Sequence, residues 1–232
     1  MARSKHTDPR RIRAARRLRA PYAPRRAGDP HRAHALARAL KLAGCLPSAW
    51  AAPPDRADAP LPPVHVRRPR AGYLHPANKA DVVALLRFFG APCTYGLRAV
   101  ELIPGPAGAA PGRHPLGRLH APGTVRLYDQ PPSPWCLPGR LPENEQARLR
   151  RAGALVDEWG DGTLTVVSWP GTTLRDFILF DVLMHEIGHH LVQQYKGKRP
   201  ARLIRTRDHE AFADRFAQRC RDFYYRAREL AH

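Results

Sequence analysis

An α+β domain is predicted by three features of this sequence. Short β-prone runs, two of them joined across an Asp-Gly pair, recur between Tyr95 and Trp169. Two long stretches of helical periodicity fill the last third. Arginine and proline dominate the first 70 residues, where there is little apolar surface to bury. The sheet should be small, mixed or antiparallel, and the two C-terminal helices should be the long elements.

The order of elements follows from local signals. Residues 1–28 carry eight arginines from Arg10 to Arg26 and read as a solvated arm. Asp29-Pro30 starts a short helix near 30–43 that bears Leu36 and Leu40 and stops at Gly44. Residues 47–70 hold seven prolines and read as a semi-rigid linker. The arm thus spans 1–71, largely disordered, and the folded domain 72–232. Asn78 caps a helix with Asp81, Val82–Phe89 supply its apolar stripe, and Gly90 ends it. Tyr95–Ile103 reads as a strand, Pro104–Gly123 as a long loop and Thr124–Tyr128 as a strand. Glu143–Ala152 reads as a helix. Ala154–Trp159 and Thr163–Trp169 form a hairpin about Asp161-Gly162. A helix then runs from Thr172 or Thr173 to Lys196, with Gly197 as its stop. The last helix runs from Thr206 or Asp208 to Glu229, with Phe212, Phe216, Cys220, Phe223 and Ala227 on one face.

Composition excludes several classes. The chain of 232 residues is 43% hydrophobic, enough for one domain with a core and a tail. Cys45, Cys93, Cys136 and Cys220 are far apart without a C-x-x-C, which argues against a disulfide framework or a cysteine zinc site. They read as reduced thiols of a cytoplasmic protein. The charged N-terminus is followed by no apolar core of a secretory signal. The longest apolar run, Phe177–Met184, contains Asp181 and is too short to span a membrane. The net charge of +19 comes from 39 Lys+Arg, of which five are lysine, against 20 Asp+Glu. Alanine- and proline-rich composition suggests GC-rich coding as one source of the arginines, yet such a field favours polyanions or acidic partners.

The chemistry concentrates in the two C-terminal helices. His185 and His189 are one turn apart in His185-Glu186-Ile187-Gly188-His189, so both imidazoles leave one face and can share a tetrahedral Zn²⁺. Glu186 is rotated by about 100° and lies beside the metal. A carboxylate there can take a proton from the attacking water and pass it to a leaving amine. The surrounding helix is apolar on most sides and so reads as buried, where two histidines and a glutamate need a reason. Glu210 opens the next helix, and a turn between antiparallel helices returns it to the metal as third ligand. Asp214, one turn further, can hold the far nitrogen of His185 or His189. Two histidines, one glutamate and an open fourth position describe a catalytic zinc site.

His185-Glu-x-x-His189 followed by Glu210-x-x-x-Asp214 resembles the gluzincin tribe of zincin metallopeptidases, of which thermolysin is the best-known member. The resemblance covers about 30 of the 232 residues closely, and about 70 if the preceding hairpin stands for the edge of the family's sheet. It implies a zincin-like domain, hydrolysis of protein or peptide substrates, Glu210 as third ligand and Asp214 as the residue orienting His185. Glu210-x-x-Ala213-x-x-Phe216-Ala217 also resembles the second motif of the ImmA/IrrE-like peptidases, which act on bacterial repressors. Those carry Leu-Leu-x-Pro where Arg219-Cys220-Arg221-Asp222 stands. The metzincin pattern fails, because its glycine and third histidine fall on Val192 and Tyr195. A SprT-like site would use a histidine of the second helix, which makes His209 the rival of Glu210.

Other residues are candidates of a lesser kind. His190 points away from the ligand face and reads as a packed or surface histidine. Asp181, one turn before His185, either supports the metal ligands or lines the cleft. Tyr195, His209, Tyr224 and Tyr225 are available to stabilise an oxyanion. The connection from Lys196 to Arg207 carries six basic residues and no acid. It is a solvated loop or, with the basic arm, a surface for nucleic acid or an acidic partner. The rival function is a basic nucleic-acid-associated protein with a vestigial or structural metal site. Glu186 separates the two, since a structural site has no use for it. A repressor-cleaving regulator would join both.

Overall fold

Strand β1, Val64–Val66, opens the fold and pairs in parallel with β2, Ala99–Ile103. A computed structural model describes residues 61–106, 115–195 and 207–230, with backbone alone at 194–195 and 207–208. The arm up to residue 60, its helix near 30–43 and most of the basic connection lie outside the described residues. So do Gly197 and the middle of the loop expected after Ile103. All described residues fall in one compact unit.

Between β1 and β2 runs α1, Lys79–Phe89. Its capping box forms as the sequence predicts: the Asp81 amide donates to Asn78 Oδ1 at 3.0 Å, and the Asn78 amide donates to Asp81 Oδ2 at 2.9 Å. A one-turn helix, α2, follows at Ala91–Thr94, where Pro92 suits a helix start. Strand β2 therefore begins at Ala99, later than the expected Tyr95. β3, Gly117–His120, and β4, Thr124–Tyr128, complete a mixed sheet in the order β1-β2-β4-β3. β2 and β4 are parallel, and β3 is an antiparallel edge.

Two of these strands lie where loops were expected. β1 falls inside the proline-rich stretch, so the described fold begins ahead of residue 72. It tolerates Pro62 and Pro63 because it is a three-residue edge strand, and Val64 is buried against the sheet. β3 falls inside the expected loop 104–123. Four residues are too few for a period-2 signal, and Gly117 lowers it further. The glycine has a packing reason: a Cβ there would run into Val182, so its absence lets β3 lie close on the helix below.

A second, antiparallel sheet is ordered β5-β7-β6, from β5, Trp135–Pro138, β6, Leu155–Trp159, and β7, Leu164–Ser168. The hairpin forms, with Asp161 at φ 53° and Gly162 at φ 86° suited to its tight turn. It belongs to this second sheet and is not the edge of the first. Between β5 and β6 lies α3, Glu143–Arg151.

The first long helix is not uniform. It consists of α4, Thr173–Phe177, a π-helical stretch, Ile178–Met184, and α5, His185–Tyr195. Six of the seven π residues are buried, all but Asp181. α6, Arg207–Glu229, packs on α5 and on the π stretch through Ala213, Phe216, Ala217 and Cys220. Phe177, Phe180, Leu183, Met184 and Ile187 join one core with the sheet residues Val100, Leu102, Val125 and Leu127. Each such side chain contributes about 1.5–3 kcal/mol on burial. Among the described residues, Cys93, Cys136 and Cys220 are free, and no helix is long and apolar enough to cross a membrane.

One polar cluster secures the sheet itself. Asp129 is fully buried just past β4. It accepts from the Arg70 amide at 2.7 Å, from Arg70 Nη2 at 2.7 Å and from the Gly105 amide at 2.8 Å. Arg70 also lies 3.9 Å from the Tyr73 ring centre. Burial pushes the Asp129 carboxyl up, but the hydrogen bonds from Arg70 and Gly105 and the Arg70 charge outweigh it, leaving it below its ordinary value.

Candidate metal centre

α5 and α6 run antiparallel: His185 lies beside Asp214, while His189, one turn on, lies beside Glu210. Close approach makes this possible. A Cβ on Gly188 would stand 2.9 Å from Ala213 Cα, so the glycine lets the two backbones nearly touch between the ligand pairs.

Three ligand atoms converge from these helices. His185 Nε2 and His189 Nε2 are 3.0 Å apart. Glu210 Oε2 lies 3.4 Å from the first and 3.3 Å from the second. Atoms about 2.0–2.1 Å from one tetrahedral zinc are about 3.3 Å from one another. The triangle of His185, His189 and Glu210 therefore has the edges a zinc ion requires, and its donor set of two imidazoles and a carboxylate suits that ion. Asp214 Oδ1 lies 2.9 Å from His185 Nδ1. A carboxylate there favours the proton on Nδ1 and leaves Nε2 as the ligand atom.

Glu186 is buried and faces β3. Its Oε2 accepts the Leu119 amide at 2.8 Å, which fixes the carboxylate beside the histidines. Sequence reasoning missed this contact, because a main-chain donor from a four-residue strand leaves no signature. Beside the cluster opens a cavity of about 400 Å³. Its lining includes His185, Glu186, Glu210 and Asp214 together with the apolar Trp135, Leu137, Leu149 and Phe177.

The lesser candidates separate clearly. Asp181 lines the cavity and pairs with Arg221. Burial raises its carboxyl above the ordinary value despite Arg221, Arg148 and Arg151 nearby. Arg221 is seven residues beyond Asp214, two turns along α6, and that spacing was the available signal for it. Among the described residues, the group that converges contains Glu210 and not His209. His190 is a packed histidine: its Nε2 is 3.0 Å from the Tyr95 carbonyl, and burial lowers its pKa. Tyr224 packs against Phe88 and Phe180, and its hydroxyl accepts from Arg228. Tyr225 donates to Asp176 at 2.7 Å; burial and that carboxylate push its pKa up to about 12. Neither tyrosine lines the cavity. The Tyr195 side chain and the basic connection before Arg207 lie outside the described residues.

No family model, curated protein or solved structure matches this chain.

Proposed function

We propose that this chain is a zinc-dependent metallopeptidase. The observation that carries the reading is the triangle of His185 Nε2, His189 Nε2 and Glu210 Oε2, with edges of 3.0–3.4 Å, beside the buried carboxylate of Glu186. His185, His189 and Glu210 would hold the ion, and Asp214 would orient His185. Zinc bound there would supply a Lewis acid for the scissile carbonyl and for the attacking water.

The chain's own residues account for the proton. Glu186 takes it from the water at its carboxylate and returns it to the leaving amine nitrogen. The Leu119 amide keeps that carboxylate from turning away. Leu137, Trp135 and Phe177 offer apolar surface to the residue next to the cleaved bond. A purely structural ion would leave a buried Glu186 unexplained, and this weighs against the nucleic-acid-binding alternative with a vestigial centre.

Elemental analysis and peptide hydrolysis test the reading together. The purified chain is expected to hold one zinc, and His185→Ala, His189→Ala and Glu210→Ala to lose it. Glu186→Gln is expected to keep the zinc and lose about 10²–10⁴ in turnover. Stoichiometric zinc in both histidine variants would place the ion elsewhere. Undiminished turnover in Glu186→Gln would remove its role as base.

A further inference from the structure

Arg148, on α3, lines the cavity beside the metal cluster. It is half-buried, and its guanidinium lies 5.6 Å from the centre of the Phe177 ring. Among the described residues its one hydrogen-bond acceptor is a main-chain carbonyl, that of Asp181, at 3.2 Å from Nη2. No carboxylate lies within ion-pair distance of it among those residues. The Asp181 carboxylate is held by Arg221. Glu145, one turn earlier on α3, lines the same cavity but is exposed to solvent, which screens it. Arg148 therefore presents a planar set of donors, close to Leu149, Phe177, Trp135 and Leu137, in a cavity that Glu145, Asp181, Glu186, Glu210 and Asp214 also line.

The distance to the cluster fixes what can reach it. Asp181 precedes His185 by four residues, about 5–6 Å along a helix. An extended peptide covers at most about 3.5 Å per residue. A group one or two residues from a bond held at the cluster is then in reach of Arg148. Guanidinium is suited to a carboxylate, which it binds through paired N–H groups.

We infer that Arg148 makes this cavity a carboxylate-recognising subsite, and that the substrate is a peptide presenting a carboxylate one or two residues from the cleaved bond. The carboxylate comes from an acidic side chain or from the peptide's own C-terminus. The inference rests on the peptidase reading for its substrate, but the binding it asserts is separable from hydrolysis.

Calorimetry with four acetylated pentapeptides of alanine and leucine tests it. Two carry one Glu and two the isosteric Gln, and each sequence is made as free acid and as amide. The full chain carrying Glu186→Gln, with equimolar zinc, keeps the peptides intact. The carboxylate-bearing member of a pair is expected to bind about tenfold more tightly, as one charge-assisted contact gives. Adding Arg148→Gln should level the pair, and Arg148→Lys should restore part of the difference. A gap between Glu and Gln assigns the side chain, and a gap between acid and amide assigns the C-terminus. The ratio is taken within one variant, so a general loss of stability does not move it. Equal affinities in both pairs, a preference that survives Arg148→Gln, or no binding at millimolar peptide would overturn the subsite. Hydrolysis of the same peptides by the chain with Glu186 intact separates the two proposals. Preference without hydrolysis leaves Arg148 standing and removes the peptidase; hydrolysis without preference does the reverse.

Discussion

Two polar clusters in this fold differ in what they complete. Around Asp129, a carboxylate meets Arg70 in a fork, and the Gly105 amide and the Tyr73 ring close the set. That cluster contains its own cation, and it ties the chain before α1 to the end of the sheet. At the proposed metal centre, two imidazoles and a carboxylate place their candidate ligand atoms 3.0–3.4 Å apart, close to the edges of a zinc tetrahedron. Both are buried or half-buried and both join distant segments. The lesson is that spacing, not polarity, distinguishes a clasp from a centre. A clasp brings opposite charges into hydrogen-bond contact, and a centre brings ligand atoms to a common point.

The comparison breaks most sharply at Asp129. Asp129→Asn leaves the Arg70 guanidinium without its countercharge and should cost about 3–5 kcal/mol of stability. Zinc content should not change. The pH dependence has a definite sign. The folded Asp129 pKa is depressed, so its contribution is present above the unfolded value of about 3.9 and is lost as pH falls through the folded value. Urea unfolding between about pH 2 and 6 checks both points. The variant should be weaker at pH 6 and should lose less on acidification than the unaltered chain. A variant that loses zinc but not stability would mean the clasp and the centre had been told apart wrongly.

Asp214 gives a smaller effect on the other cluster. It is 64% exposed and touches the centre through His185 Nδ1. Asp214→Asn keeps its shape and removes the charge beside His185 Nδ1. Zinc affinity should fall about 10–100-fold. The metal-free chain should unfold at nearly the same urea concentration as before, because so exposed a carboxylate contributes little on its own. Unchanged affinity in a competition titration would assign Asp214 to the solvated face of α6.

The legible part of this molecule is the part written in helical spacing. Histidines four apart, and a glutamate and aspartate four apart, carry geometry in their numbers, so the pairing of 185 with 214 and of 189 with 210 follows once the helices are antiparallel. The capping box at Asn78 and the Asp161-Gly162 turn are local in the same sense. What was not legible depends on packing between distant segments. The edge strand β3 has four residues and a glycine, and its existence depends on the space beside Val182. The π stretch has the same apolar residues an α-helix would have, and periodicity cannot tell five-residue from four-residue closure. Arg148, Trp135 and Leu137 reach the cavity from α3 and β5, 37 to 50 positions before His185, with no motif to join them.

Gly188 offers the finest test, because it joins packing to ligand geometry without being a ligand. A methyl group there would stand 2.9 Å from Ala213 Cα and 3.3 Å from both Ala213 Cβ and Phe216 Cδ1. The first contact is to backbone and cannot be relieved by a rotamer, so α6 must shift by some tenths of an ångström. Overpacking of this kind costs about 1–3 kcal/mol. The better helix propensity of alanine returns about 1 kcal/mol. Gly188→Ala should therefore lower stability by no more than about 2 kcal/mol, or roughly 4–8 °C in Tm. The same shift carries Glu210 away from the histidines, one turn from the contact, and spreads the 3.3 and 3.4 Å edges of the triangle. Zinc affinity should fall about tenfold, as one lost or lengthened contact implies. A clasp would not respond this way, since flexible Arg70 can follow its partner. If Gly188→Ala lowers the Tm but binds zinc as before, the close approach serves packing alone, and the ligand triangle is more tolerant than a tetrahedral centre should be.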